Sequence, residues 1–291
     1  MKLDDYPAQE PLSLVGTEYG RECWQRGEGI DGEEFAFGED PYQRLLVFRA
    51  AGADGRMLLF WHGGGWTSGY KEWMAFMAPA FTRAGVTFVS AAYRLAPSHV
   101  YPTGIDDCAG AVRWVLAHIG AHGGDANKLF TGGHSAGGHY AARPAASAAE
   151  TARCGLPPRV FRGCLPLSGV FDFGPGCGLS MRPRFLGPNA GTDLLASPVR
   201  HVDAPAPFLV AYGSKDFPIS CRRAMPSSRR CAPWVARRKS SCSPNARTSR
   251  RASLVARPTG HGYRAHSISW RATPDPEGRR AWTTFDIASI A

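Results

Sequence analysis

No stretch of this 291-residue chain reaches 18 uninterrupted apolar residues, which argues against a membrane-spanning helix. The first residues, Met1-Lys2-Leu3-Asp4-Asp5, lack both a basic n-region and an apolar h-region. They therefore predict no secretory leader and a cytoplasmic location. The eight cysteines (23, 108, 154, 164, 177, 221, 231 and 242) form no C-x-x-C pair, and no paired histidine spacing suggests zinc. Scattered reduced thiols are expected rather than a disulfide framework. Apolar residues make up 44% of the chain and charged residues 20%, values that exclude global disorder.

The most local absence is of acid. Between Asp216 and Asp275 there is no Asp or Glu, while 13 of the 34 basic residues fall in that interval. The net charge of +10 is therefore made by residues 217–274, and the remainder of the chain is mildly acidic. Arg-Arg, Ser-Ser, Pro and Cys recur there without helical or strand period. Two readings stand: a poorly packed basic loop, or a reading-frame error between about 219 and 258, since out-of-frame GC-rich DNA yields Arg, Ser, Pro and Ala. The segment has few interleaved aromatics and no nucleic-acid motif, so no specific nucleic acid is expected as partner.

The rest of the chain alternates between buried strands and helices. Apolar runs at 57–61 and 86–90 read as buried strands, and 128–132, 160–167 and 208–212 as further strand candidates. Residues 44–48 read as an edge strand, and 252–256 as the last strand-like run. Helices are expected over 71–84, 103–119 and 136–150. This alternation predicts an α/β architecture: a mostly parallel central sheet with helices on both faces and an atypical C-terminal part. One domain over 1–291 is expected, with an irregular lead-in at 1–40 and a loop or small cap at 172–200.

Two motifs bear chemistry. Gly133-His134-Ser135-Ala136-Gly137 is a G-x-S-x-G pentapeptide between a predicted strand and a predicted helix, the context in which such a serine is lifted above a sheet. His62-Gly63-Gly64-Gly65-Trp66 follows the 57–61 strand, and its side-chain-free residues let backbone N–H groups approach a substrate oxygen. Gly64 and Gly65, with the N–H of Ala136, form a candidate oxyanion hole. Ser135 lies 73 residues after His62, with a strand and two helices between them.

With Tyr93-Arg94-Leu95-Ala96-Pro97, Gly124-Asp125, Gly138-His139, Leu167-Ser168-Gly169-Val170-Phe171-Asp172 and Gly213-Ser214-Lys215-Asp216, these motifs resemble the α/β-hydrolases of the hormone-sensitive-lipase-like group. Within it they look closest to the kynurenine-formamidase-like and small-molecule esterase branch. The resemblance covers residues 40–218 and is sparser after 140. It implies an α/β-hydrolase fold and a catalytic triad. Asp216, just past the 208–212 strand, suits the acid, with Asp172 and Asp203 as fallbacks. His261, in Gly260-His261-Gly262-Tyr263, and His266 are the two candidates for the base.

The implied chemistry is hydrolysis of a small ester through an acyl-enzyme, or of an N-formyl aryl amide by the same machinery. A catalytically impaired binding protein is the third reading. No metal or organic cofactor is implied, and the oligomeric state is open. Resequencing the coding DNA tests the frame-error reading of 219–258: an unbroken frame encoding this same segment overturns it.

Overall fold

A computed structural model describes residues 3–175 and 181–211, together with the backbone of four short strands at 234–237, 253–254, 272–274 and 280–282. The main sheet is built from β1 (Glu33–Ala36), β2 (Arg44–Phe48), β3 (Gly55–Trp61), β4 (Thr87–Ala91), β5 (Gly124–His134) and β6 (Gly163–Leu167). Their spatial order is β1-β2-β4-β3-β5-β6. The β1–β2 and β2–β4 pairs are antiparallel, whereas β3 is parallel to β4 and β5, and β5 to β6. A short β7 (Leu209–Val210) continues beside β6 through parallel bridges at Cys164–Phe208 and Leu167–Ala211.

The parallel strands alternate their side chains between two cores. Met57, Leu59 and Trp61 of β3 face one apolar cluster, while Leu58 and Phe60 face the other. Val89 and Phe88 of β4 divide in the same way. All seven of these residues are almost fully buried, each stabilising the fold by about 1.5–3 kcal/mol relative to exposure. The first core is closed by α3 (Thr103–His118) and α4 (Ala136–Ala146). The second is closed by α1 (Leu14–Gly27), a 3₁₀ stretch (Lys71–Met77) and α2 (Ala78–Arg83).

Several expectations need correction. The lead-in is not irregular: it contains α1 and β1, and β1 rather than β2 is the sheet edge. The helix escaped detection because it buries only Gly20 and Cys23 while leaving Leu14 and Val15 exposed, so it shows no apolar period. What starts it is local: the Ser13 hydroxyl accepts the Gly16 N–H at 3.1 Å. The stretch expected as one helix over 136–150 is two. Pro144 carries no N–H for the ladder, and α4 stops at Ala146. Ser147 then caps α5 (Ala148–Arg153) by accepting the Glu150 N–H.

The 172–200 region holds α6 (Thr192–Ala196) and a 3₁₀ turn at Pro198–Arg200. Of the 252–256 run, Ser253–Leu254 is strand, paired antiparallel with Trp234–Arg237, which runs parallel to β7. Cys23, Cys108, Cys154 and Cys164 are buried free thiols, as expected of reduced cysteines, and the other four lie outside the described residues. No helix among the described residues is long and apolar enough to cross a membrane.

Just past β4, Arg94 is fixed to α3. Asp107, 1% exposed, accepts from the Arg94 backbone N–H at 2.8 Å, from its guanidinium at 2.8 to 3.1 Å, and from Gln43 at 2.9 Å. Removing the carboxylate leaves these donors without their partner. Asp107→Ala is therefore expected to cost about 3 kcal/mol, read as a lower urea midpoint. A variant within 0.5 kcal/mol of the parent, on the order of a surface change, overturns this account of the bracket.

Candidate active site

The carboxyl ends of β3, β5 and β6 lie on one edge of the sheet because these strands are parallel, and the site's loops leave from that edge. Ser135 sits between β5 and α4 with φ 52° and ψ −114°. A left-handed φ at a residue with a Cβ costs on the order of 1–3 kcal/mol and persists only where the surroundings enforce it. They do so from both sides. The Ser135 N–H donates to Leu167 O of β6 at 2.8 Å, and the Ser135 carbonyl accepts the His139 N–H at 3.2 Å. Ser135 is half-buried, reachable from solvent, at the positive end of α4.

The first turn of α4 lies against the start of the glycine loop. A Cβ on Gly137 would overlap the carbonyl oxygens of Trp61 and His62, so only glycine allows this approach. The contact brings the Ala136 N–H, which has no helical acceptor at this first position, to the same edge as Gly64 and Gly65. Gly64 has φ 123°, and a Cβ there would overlap Ser68 O. Its carbonyl accepts the N–H groups of Thr67 and Ser68 at 3.2 and 3.0 Å. The planar trans peptide then turns the Gly65 N–H to the opposite side. Gly65 is exposed, and a Cβ built on it would meet nothing within 4 Å. Among the described residues, neither the Gly64 nor the Gly65 N–H has a hydrogen-bond acceptor.

The loop is tied to α4 a second time. Trp66, itself at φ 66°, donates its indole N–H to His139 Nδ1 at 3.2 Å, and its backbone oxygen accepts the Ala96 N–H at 2.9 Å. With Nδ1 accepting, the His139 proton is on Nε2, which donates to Ala196 O at 2.9 Å. Trp66 also stacks on Phe185 at 4.4 Å. Trp66 and Trp73 both belong to the apolar cores.

His62 is fully buried and stacked on Tyr93 at 4.3 Å, whose hydroxyl donates to His62 O. Its Nδ1 donates to Gly63 O at 2.7 Å. His134, inside the pentapeptide, lies under the Tyr19 ring of α1 at 4.9 Å. Burial pushes the His62 pKa down to about 4 and that of His139 to about 3, so both are neutral. Burial also raises the Cys23 and Cys154 thiols to about 11, and Cys108 and Cys164 well above their usual value. None of these thiols is a competing nucleophile at neutral pH.

Both fallback acids have structural partners. Asp203 accepts from the Ala148 and Ala149 N–H groups and the Ser147 hydroxyl at the start of α5. Asp172 accepts from the Gly174 N–H at 2.8 Å and lies 3.5 Å from the Arg200 guanidinium. Asp216, His261 and His266 lie outside the described residues. The structure thus packs the turn that carries Ser135 and Ala136 against the start of the loop that carries Gly64 and Gly65, and the acid and base candidates fall outside the described residues.

Sequence reasoning passed over Ser168. It is in register beside Ser135, one residue beyond the His134–Leu167 pair, and shares its φ of 52°. Its N–H donates to Ala211 O at 2.7 Å, so β6 ends in a second turn as constrained as the first. The motif Leu167-Ser168-Gly169 is visible in the sequence, but the left-handed serine and its place beside Ser135 show only in the backbone angle and the strand register.

Residues 58–181 match a family model described as alpha/beta hydrolase fold. Over 107 residues the chain is 40% identical to a carboxylesterase, NlhH, of Mycobacterium tuberculosis, covering 36% of this chain and 33% of that protein. It is 34% identical over 110 residues to the esterase LipC of the same organism, covering 36% and 27%. The matches thus span about a third of the length of these curated relatives. A solved structure of a putative thioesterase from a Silicibacter species superposes with a TM-score of 0.60 at 23% identity, over 77% of this chain and 85% of that one. An esterase from Pyrobaculum calidifontis superposes at 0.56 with 20% identity, over 69% and 73%. These two likenesses speak to the fold.

The buried histidines set a pH dependence. In the unfolded chain each takes a proton near pH 6.5, while the fold keeps them neutral down to about 4 and about 3. The unfolded state then holds more protons, so stability rises with pH. The contribution is complete above 6.5 and is lost in acid at up to about 1.4 kcal/mol per pH unit per histidine. Urea midpoints between pH 7 and 5 are expected to fall. They should fall less steeply in His139→Gln, which keeps an acceptor for Trp66. An identical slope in that variant contradicts the assignment.

Proposed function

We propose, from the match of residues 58–181 to a model of the alpha/beta hydrolase fold and the likeness of this region to carboxylesterases, that this protein is a serine hydrolase cleaving carboxylic esters of small acyl or aryl substrates. The observation that carries the reading is the contact of Gly137 with the Trp61 and His62 carbonyls, which packs the helix that follows a strained Ser135 against the start of the glycine loop. Ser135 Oγ attacks the ester carbonyl carbon, and its proton passes to the base, for which His261 and His266 are the candidates. The new oxyanion accepts from the N–H groups of Gly64, Gly65 and Ala136. Each such donor is worth about 2.7–4 kcal/mol in the transition state. Collapse breaks the bond to the leaving alkoxide, which takes the proton from the histidine. Water then attacks the acyl-enzyme by the same route in reverse, releasing the acid and Ser135. Asp216 would accept the histidine's other N–H.

A small-molecule ester is the substrate class that the likeness to carboxylesterases supports. The four described thiols, all unpaired, agree with a reducing compartment such as the cytoplasm. A formamide substrate has no contact among the described residues that favours it.

Intact-protein mass spectrometry after a fluorophosphonate probe tests the assignment. One adduct is expected on the parent and none on Ser135→Ala. Asp216→Ala, His261→Ala and His266→Ala identify the acid and base by which of them stop labelling. A folded parent that takes no probe, and hydrolyses neither p-nitrophenyl acetate nor N-formylkynurenine, overturns the hydrolase reading in favour of a binding protein.

A further inference from the structure

We infer that Gln9 is a positioning residue for the oxyanion hole: its carboxamide sets the glycine loop so that the Gly65 N–H faces the carbonyl oxygen bound at Ser135. This rests on the serine-hydrolase reading above.

The Gln9 side chain engages both backbone polar groups of one loop residue. Its Oε1 accepts the Gly69 N–H at 2.8 Å, and its Nε2 donates to Gly69 O at 3.0 Å. The next strap residue continues the pattern, with the Ser68 hydroxyl donating to Glu10 O at 2.7 Å. Two consecutive loop residues are thus tied to two consecutive residues of the N-terminal segment. Thr67 and Ser68 are the donors that orient the Gly64 carbonyl, and through the shared peptide plane the Gly65 N–H. Gln9 touches neither Ser135 nor Gly65, and its effect passes through Gly69 and Ser68.

The strap is anchored on both sides of Gln9. Tyr6 is buried against Tyr42 and Tyr70, with ring centroids 5.1 and 5.0 Å apart. Its oxygen accepts from Lys71 Nζ at 2.5 Å, and the same fully buried ammonium also meets Glu72 at 2.6 Å and Glu34 at 2.9 Å. The Tyr42 hydroxyl donates to Pro7 O at 3.1 Å. Beyond Gln9, Glu10 pairs with Arg184. The Gln9 side chain also hydrogen-bonds Tyr42, so a change at residue 9 acts on the loop directly and on the Tyr42 anchor, while the Tyr6–Lys71 and Glu10–Arg184 contacts still hold the flanks.

The distinguishing property is that the oxyanion develops only as Ser135 adds to the carbonyl and is absent from the bound ester. A misaimed donor therefore lowers kcat and leaves KM nearly alone. With the full chain and p-nitrophenyl acetate, Gln9→Leu, which keeps the bulk and removes both hydrogen bonds, is expected to lower kcat about tenfold with KM within about twofold. The fluorophosphonate labelling rate of Ser135 should fall by a similar factor. Gln9→Glu keeps the acceptor for the Gly69 N–H and loses the donor, so an intermediate loss is expected. It carries the test if Gln9→Leu does not fold, and Ser68→Ala should move kcat in the same direction by less. A residue with a merely structural role would lower the melting temperature and leave kcat per titrated site unchanged. That result, or a loss confined to KM, overturns the assignment while leaving the hydrolase reading intact. A folded parent that takes no probe overturns the hydrolase reading and this assignment with it.

Discussion

The first turn of α4 and the first carbonyls of the glycine loop are too close to admit a side chain between them, and the geometry of the site follows from that closeness. Moving the helix out by one methyl group would separate the Ala136 N–H from those of Gly64 and Gly65. It would also loosen the turn at Ser135, whose left-handed backbone is enforced from β6 on one side and α4 on the other. The Trp66–His139 bond secures the same pair of elements from the core side. Two histidines of this region do no acid–base work. Burial strips their charge, leaving flat packing groups in which His62 donates to Gly63 O and His139 donates to Ala196 O while accepting from Trp66.

The β-strands were legible because burial on both faces leaves a continuous apolar run. Those at 57–61 and 86–90 coincide with β3 and β4 to within two residues. The pentapeptide and the glycine loop were legible because close approach demands glycine, and glycine is visible in a sequence. The N-terminal segment was opaque for the opposite reason. Its contacts are made by Gln9, Ser68 and Tyr6 to backbone and buried charge, at separations of about 60 residues, and such bonds leave no periodicity. Helix α1 hid behind a face of glycine and cysteine. The expectation of an irregular lead-in failed on both counts. The acid and base rested on the resemblance alone, at positions outside the described residues.

Residues 217–274 differ in kind from the body that precedes them. The body places its charges in pairs, such as Arg94 with Asp107 and Arg143 with Glu150, each joined across elements that must pack together. A segment with 13 cations and no carboxylate has no such partners within itself. Any ion pairing it makes must come from acids elsewhere in the chain or from a bound anion.

The pairing of Gln9 with Gly69 also bears on the order of folding. It closes a stretch of 60 residues that contains β1, β2 and β3, and β2 and β3 meet only through β4, which lies outside that stretch, so the closure costs least once β4 has joined them. The hydrophobic cores can therefore be complete while the loop above them is still unset. A probe of core burial and a probe of the Gln9–Gly69 pairing would then report on different parts of the assembly.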